Sequence, residues 1–389
     1  MECVVLAGAA SLFGLENIRS SLRSLALEVL FIEAPFMKDY GKVDARKEAL
    51  MRFTPVLPAG IPVIPLNEYW ISQCLASGGS LAGKKALRAS RSKLLLYQLL
   101  SSVSPVPRVF DRRQEALSFI RAGGDVVVKP DGLFSGYGVK VVGQDEADSL
   151  EHWLYNASHV TNNATKLFAV HNAAALMCER VLGEEGSADV FVCRGRVGVV
   201  RVCRKVVRTV HDVPCTQVCQ LIDASAALVL SLNQWCALLF GKDEVAFAQF
   251  DFITTPAGSI VPVDFASRVG GGIEPLLGAW GQERGANPYA QAIRTIVGGV
   301  PLGAAGSDGL WWTQFNVLPT KSGRLCRDDY PMPEGRRHIF KRTGDFVPQC
   351  PCSAESRVAS VVVRWGWPVD EQLLDDLLLG DEYIATSHR

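Results

Sequence analysis

No charge surplus exists in this chain: forty basic residues are matched by forty acidic ones, and no long run of one sign occurs. That excludes the overall field that would favour nucleic acid or an anionic membrane surface as a partner. Long apolar runs are missing as well, none reaching the roughly 18 residues of a membrane-crossing helix. The opening MECVVLAGAASLFG has no basic segment before its apolar stretch, so a cytoplasmic protein is expected. Histidine is scarce, six in all, and His152, His159, His171, His211 and His338 fall into no metal or triad spacing. The eleven cysteines are scattered; Cys215 with Cys219 and Cys350 with Cys352 come nearest to a metal pattern, and neither has a second pair. All are expected as plain thiols. Internal repeats and low-complexity stretches are absent.

What is present is apolar residue content of 48% in 389 residues, enough for two or three packed domains. Patterning predicts an α/β start: strands at Val4–Leu6 and Val29–Ile32 around a helix from Glu16 to Ala26, forming a small open parallel sheet. The glycines of GAASLFG do not make a dinucleotide fingerprint. Asn67 or Glu68 opens a further helix, and this first domain closes near residue 90. A basic helical stretch, SRSKLLLYQLLSS, leads through PVPRVF into an α+β unit. That unit holds a helix from Gln114 to Ala122, the strands VVVK and VKVV, and a helix around Glu146–Tyr155. Antiparallel strands either side of Arg194–Gly195 follow, then a helix over about Ala224–Phe240. Two strands joined at Pro256–Ala257–Gly258 come next, and short C-terminal strands lead to an acidic helix. The fold class is therefore mixed α/β and α+β, with units at 1–90, 91–183 and 184–389.

The most telling segment is VVVKPDGLFSGYGVK at 126–140, an apolar strand ending in Lys129, a glycine-bearing loop and a second strand. Loop N–H groups and a lysine ammonium can converge on the oxygens of a bound triphosphate. Asp251 and Asp264 lie on the two strands joined at the Pro256 turn, where same-face carboxylates could share a divalent cation. Taken alone, such a pair suits ordinary ion pairs equally well. Arg268 follows four residues later and runs into Val269–Gly270–Gly271–Gly272, where backbone can approach a ligand closely and an arginine can clamp a phosphoryl oxygen or carboxylate.

In this order the motifs resemble those of the ATP-grasp carboxylate–amine ligases, over nearly the whole chain from Val4 to about Asp370. The resemblance implies an ATP-grasp fold with an N-terminal Rossmann-like parallel sheet, a small ATP-binding lobe and a larger antiparallel lobe. It makes Lys93 and Lys129 phosphate contacts, with Ser135, Gly136 and Gly138 in the loop over the phosphates. Glu179 and Val181 fall in the base-binding linker and Glu185 beside the ribose. Asp251 and Asp264 become the Mg²⁺ (or Mn²⁺) ligands, and Arg268 the catalytic clamp. The last motif reads Asp264–Phe265–Ala266–Ser267–Arg268 where many relatives have Glu-x-Asn-x-Arg. In carrying alanine there it is similar to bacterial L-amino-acid ligases that make dipeptides, and to some purine-pathway carboxylases.

The implied reaction forms an acyl phosphate from a carboxylate and ATP, then joins it to an amine with release of ADP and phosphate. Amino acids are the expected substrates, with Gly271 and Gly272 shaping their pocket and His211 in a loop near them. Gly272 sits where bulky residues narrow the pocket of relatives. Members are often dimers, which an open sheet edge in the first domain suits. Two further readings stand beside this one: a purine-pathway carboxylase or formate-using transferase, and a nucleotide-binding protein without catalysis.

Overall fold

The computed structural model describes residues 2–38, 45–134, 136–160, 174–210, 213–301, 303, 309–348 and 357–385. Strands β1 (Glu2–Ala7), β2 (Leu27–Glu33), β3 (Arg52–Phe53) and β4 (Val63–Pro65) form a parallel sheet in the order β3-β2-β1-β4. The helix Leu15–Arg23 covers it through Leu15, Ile18 and Leu22, an apolar stripe at helical spacing. This helix stops three residues short of the expected Ala26 because Ala26 itself turns left-handed, at φ 64°, and feeds β2. Asn67 caps the helix Glu68–Ser77 by accepting from Trp70 N at 3.1 Å. Glu68 is thus held at the carboxyl end of the sheet, where such folds meet their ligands.

The basic stretch from Ser90 forms one helix, Lys93–Leu100, which Ser92 caps by accepting from Leu95 N, and a separate short helix, Lys84–Ala89, precedes it. Next come β5 (Val126–Pro130), β6 (Lys140–Val142) and β7 (Ala175–Glu179), a small antiparallel sheet ordered β6-β5-β7. The helices Arg113–Arg121 and Leu150–Ser158 pack on Val126, Val128 and Val142 to give this unit its own core.

The largest sheet begins with β8 (Glu184–Cys193), β9 (Arg196–Val210), β10 (Val213–Ile222), β11 (Val245–Thr254) and β12 (Ile260–Ala266). After it come β13 (Trp311–Pro319), β14 (Gly323–Leu325), β15 (Arg336–Ile339), β16 (Phe346–Val347) and β17 (Ala359–Trp365). Its order is β12-β11-β8-β9-β10-β13-β17-β15, while β14 pairs with β16 in a separate small sheet. Alternation along β11 assigns the two faces. Ala246, Ala248, Phe250 and Phe252 meet Leu228, Leu232, Trp235 and Leu239 of the helix Ala226–Leu239. Val245 and Phe247 meet Leu276 and Leu277 of the helix Glu274–Arg284, Tyr289 and Ile293 of the helix Pro288–Ile296, and Leu15 and Ile18 of the first unit. Gln249 and Asp251 continue this second face beyond its apolar end. Among the described residues no helix is long and apolar enough to cross a membrane.

Candidate functional site

Strand register extends that polar face across the sheet. Asp264 stands opposite Asp251, Asp251 opposite Ser187, and Gln249 opposite Asp189. Asp189 faces Arg201, Lys205 faces Cys219, and Cys219 faces Gln314. Directly opposed residues share a face, so chemistry-bearing side chains from 187 to 314 line one surface.

Two lysines approach it from outside the sheet. Lys129, at the end of β5, donates to Tyr97 Oη at 2.6 Å and reaches Val263 O at 3.5 Å. Lys93, in the first turn of its helix, donates to Leu133 O at 2.6 Å and lies 3.4 Å from Asp264 Oδ1. Both lysines are buried. Asp131, just past β5, accepts from Leu94 N at 3.0 Å and from Ser92 Oγ at 2.8 Å, locking the helix start to the strand end. Tyr97 donates to Val263 O at 2.8 Å. Burial, reinforced by nearby Cys178, Asp264 and Asp131, pushes its phenol well above the usual range, so it stays a neutral hinge between β5 and β12.

Each aspartate has an ammonium beside it. Asp251 Oδ1 accepts from Lys205 Nζ at 2.8 Å and from Gln249 Nε2 at 3.2 Å. Burial alone would raise the Asp251 carboxyl, but Lys205, joined by Arg201 and Arg268, outweighs it and the net displacement is downward. Lys205 is held above its usual value by the same partner, against burial. Glu185, on β8, belongs to this neighbourhood: burial raises its carboxyl, while Lys205 pulls the other way and Asp251 reinforces the rise. Among the described residues no group of three or more His, Cys, Asp or Glu is arranged to hold a metal. The opposed pair Asp251 and Asp264 can therefore offer two hard oxygen donors, and a divalent cation there would complete its shell from phosphate oxygens or water.

Arg268 links this surface to the first unit. Its Nε donates to Glu68 Oε1 at 2.6 Å and its Nη1 to Val269 O at 2.7 Å, with a further bond to Gln249 Oε1. Gln249 stands opposite Ala266, so an amide is present across the hairpin from the position where the motif has alanine, tied to both Asp251 and Arg268. The loop after Arg268 rests on a buried ion pair. Asp189 Oδ1 accepts from Arg201 Nη2 at 2.9 Å and from Gly270 N at 3.1 Å. Burial lowers the Arg201 guanidinium, but Asp189 more than restores it and holds it above its usual value. A Cβ on Gly270 would collide with Arg201 Nη2 and lie 3.0 Å from Asp189 Oδ1, so any side chain there would have to push the ion pair aside. Gly272 has φ +81°, and a Cβ there would stand 3.6 Å from Arg357 Nη1 and Nη2. Its glycine answers a backbone demand; at Gly271 a Cβ meets nothing within 4 Å, and the open space is there.

Gly136 and Gly138 shape the loop after β5, closed by Tyr137 N on Phe134 O and Val139 N on Gly136 O, both at 3.2 Å. A Cβ on Gly136 would lie 3.3 Å from Pro214 O, so this loop meets the end of the β9–β10 hairpin. Glu179 is opposite Val126 in the small sheet, with its N–H on Arg108 O at 2.8 Å. Half-buried Val181 follows it in the connection to β8. Ser135 and His211 lie outside the described residues. Sequence reasoning missed Glu68, Tyr97, Lys205, Gln249 and the Asp189–Arg201 pair. One signal was available: Arg201, Cys203 and Lys205 alternate on a strand, and charges on an inward strand face are rarely idle.

No family model matches the chain. The phosphoribosylamine–glycine ligase of Methanoregula boonei is 30% identical over 140 residues, which are 34% of this chain and 29% of that protein. The matched part is thus less than a third of that relative's length. Among solved structures, the L-amino acid ligase from Bacillus licheniformis superposes with a TM-score of 0.55 at 13% identity, covering 100% of this chain and 99% of that one. N5-carboxyaminoimidazole synthetase from Staphylococcus aureus, complexed with ADP, superposes with a TM-score of 0.57 at 13% identity, covering 96% and 95%. The chain has the ATP-grasp fold. Within it, the chain resembles the carboxylate–amine ligases, an L-amino acid ligase among them.

Proposed function

We propose that this chain is an ATP- and Mg²⁺-dependent ligase joining the carboxylate of an amino acid, or a similar small acid, to an amine through an acyl phosphate, with release of ADP and phosphate. The observation that carries this reading is the convergence of Lys93 and Lys129 on β12 beside the opposed Asp251 and Asp264. Bound nucleotide and Mg²⁺ would supply the phosphoryl group and neutralise charge on it. Lys93 and Lys129 bind phosphate oxygens, Asp251 and Asp264 hold the metal, and Lys205 keeps Asp251 ionised. Glu185 accepts from ribose hydroxyls, and Glu179 and Val181 flank the base. Arg268, braced by Glu68 and Gln249, stabilises charge developing at the reacting carboxyl. The small β6-β5-β7 sheet and the largest sheet, which approach each other at the Gly136 loop, keep water from the reactive acyl group.

A second reading has its own support in the 140-residue likeness to phosphoribosylamine–glycine ligase: a purine-pathway type enzyme whose substrate carries a phosphoribosyl group. Phosphate release from ATP and Mg²⁺, measured across pairs of the common amino acids and across phosphoribosyl amines, separates the two. A product mass equal to two amino acids minus water supports the first, and product only with the phosphoribosyl compounds supports the second. Release in no well, despite tight ADP binding, would sink both.

The clamp assignment has its own check. Lys129→Met retains the apolar stem and removes the ammonium, so ADP affinity measured by calorimetry should fall by about tenfold to a hundredfold, as for one charged hydrogen bond. Unchanged affinity would remove Lys129 from the phosphate site.

A further inference from the structure

Between Lys84 and Lys93 the chain carries five basic residues and no acidic one, and the proposed function uses only the last of them. Lys84, Lys85 and Arg88 are exposed on the helix Lys84–Ala89, as solvated charges commonly are. Arg91 is different. It sits in the turn between that helix and Lys93–Leu100, its N–H on Arg88 O at 3.0 Å, one residue before the Ser92 cap and two before Lys93. The turn is fixed on its far side: Ser92 Oγ donates to Asp131 Oδ2 at 2.8 Å, and Lys93 Nζ lies 3.4 Å from Asp264 Oδ1.

Arg91 is half-buried, yet among the described residues its guanidinium has neither a hydrogen-bond acceptor nor an ion-pair partner, and its nitrogens stay open to solvent. Burial lowers the guanidinium below its usual value, and Glu68 offsets part of that. Glu68 is thus near enough to be felt but is engaged elsewhere, its Oε1 accepting from Arg268 Nε at 2.6 Å. One carboxylate is shared by two guanidiniums, and one positive charge is left over. A charge withdrawn from water is costly until an acceptor completes it, and open guanidinium donors fit an oxyanion. Lys93 of the phosphate site follows Arg91 in the chain, while Glu68 and Arg268 stand beside it at the carboxyl end of the parallel sheet, where such sheets meet their ligands.

We infer that Arg91, beside the Glu68–Arg268 pair, binds an oxyanion of the amine substrate, a carboxylate or a phosphomonoester. This rests on the ligase reading and deepens it. The nucleotide has both lysines and the reacting carboxyl has Arg268, so the remaining guanidinium makes the acceptor an anion as well as an amine. A dipeptide-forming enzyme would present the carboxylate of the acceptor amino acid there, and a purine-pathway type enzyme the phosphate of a ribosyl amine.

The test is calorimetric titration of the full-length protein, saturated with ADP and Mg²⁺, by two probes: L-alanyl-L-alanine, which carries a carboxylate, and ribose 5-phosphate. The wild type is expected to bind one of them, which also tells the two sources apart. Arg91→Gln should weaken that probe by at least about tenfold, the scale of a charged hydrogen bond, with ADP affinity unchanged. Arg91→Lys should keep part of the affinity, because a point charge remains where the planar fork is lost. The matching compound without the anion, L-alanyl-L-alanine amide or ribose, should bind wild type and Arg91→Gln alike. Equal probe affinity in wild type and Arg91→Gln, an equal loss for the anion-free compound, or binding of neither probe by the wild type overturns the inference. A parallel loss of ADP affinity would move Arg91 to the nucleotide site and overturn it too. Probe binding that depends on Arg91 in a protein releasing no phosphate from ATP would instead keep the oxyanion site and discard the ligase reading.

Discussion

Replacing Arg268 with alanine is expected to lower kcat/KM for ligation by about 10² to 10³, the usual loss for one preorganised donor to a developing oxyanion, while ADP affinity changes by less than about threefold. The split follows from where the guanidinium is held. Nε is committed to Glu68 and Nη1 to Gln249 and Val269 O, and neither lysine of the phosphate site is among these partners. Its loss should therefore fall on the reacting carboxyl, with nucleotide binding spared. Arg268→Lys should recover little, because one ammonium cannot replace a planar fork that serves Glu68 and Gln249 together. Single-turnover phosphate release checks this, with ADP titration as the control for folding. If Arg268→Ala reduces ADP affinity as much as it reduces turnover, the arginine belongs to the nucleotide site and the catalytic assignment is wrong.

Much of the scaffold was legible because local signals agreed with the global fold. The β11–β12 hairpin is one example: Pro256–Ala257–Gly258 breaks two apolar runs and puts the two aspartates on paired strands, although it takes a bulge between Asp251 and Phe252 to bring Asp251 opposite Asp264. The Asn67 cap is another, set by one side chain and the residue three later. What was not legible depends on contacts distant in sequence. Glu68 reads locally as the first acid of a helix, and nothing near it announces a partner 200 residues away at Arg268. Gln249 looks like an ordinary polar strand residue until register sets it opposite Ala266. Gly272, expected at the substrate pocket, has a left-handed backbone, a demand held only in φ.

The largest effect on stability should come from Asp189. Asp189→Ala removes the acceptor for Arg201 Nη2 and for Gly270 N at once, leaving a guanidinium at 4% exposure with only Ser187 to receive it. Removing one partner of a buried pair costs about 3–5 kcal/mol, because the remaining charge stays desolvated. Urea unfolding should show the midpoint lowered by that loss divided by the slope, with the slope itself unchanged. A double replacement, Asp189→Leu with Arg201→Met, should recover most of the loss, since two apolar groups of similar volume leave no charge behind. It should not recover acceptor binding, because Gly270 N would still lack its acceptor and the glycine loop its anchor. That divergence separates the two roles of the pair: stability returns when both charges go, whereas the loop needs the carboxylate itself. A loss below about 1 kcal/mol for Asp189→Ala would mean that water reaches Arg201, and the buried anchor would then fail as an account of how Val269–Gly272 is held.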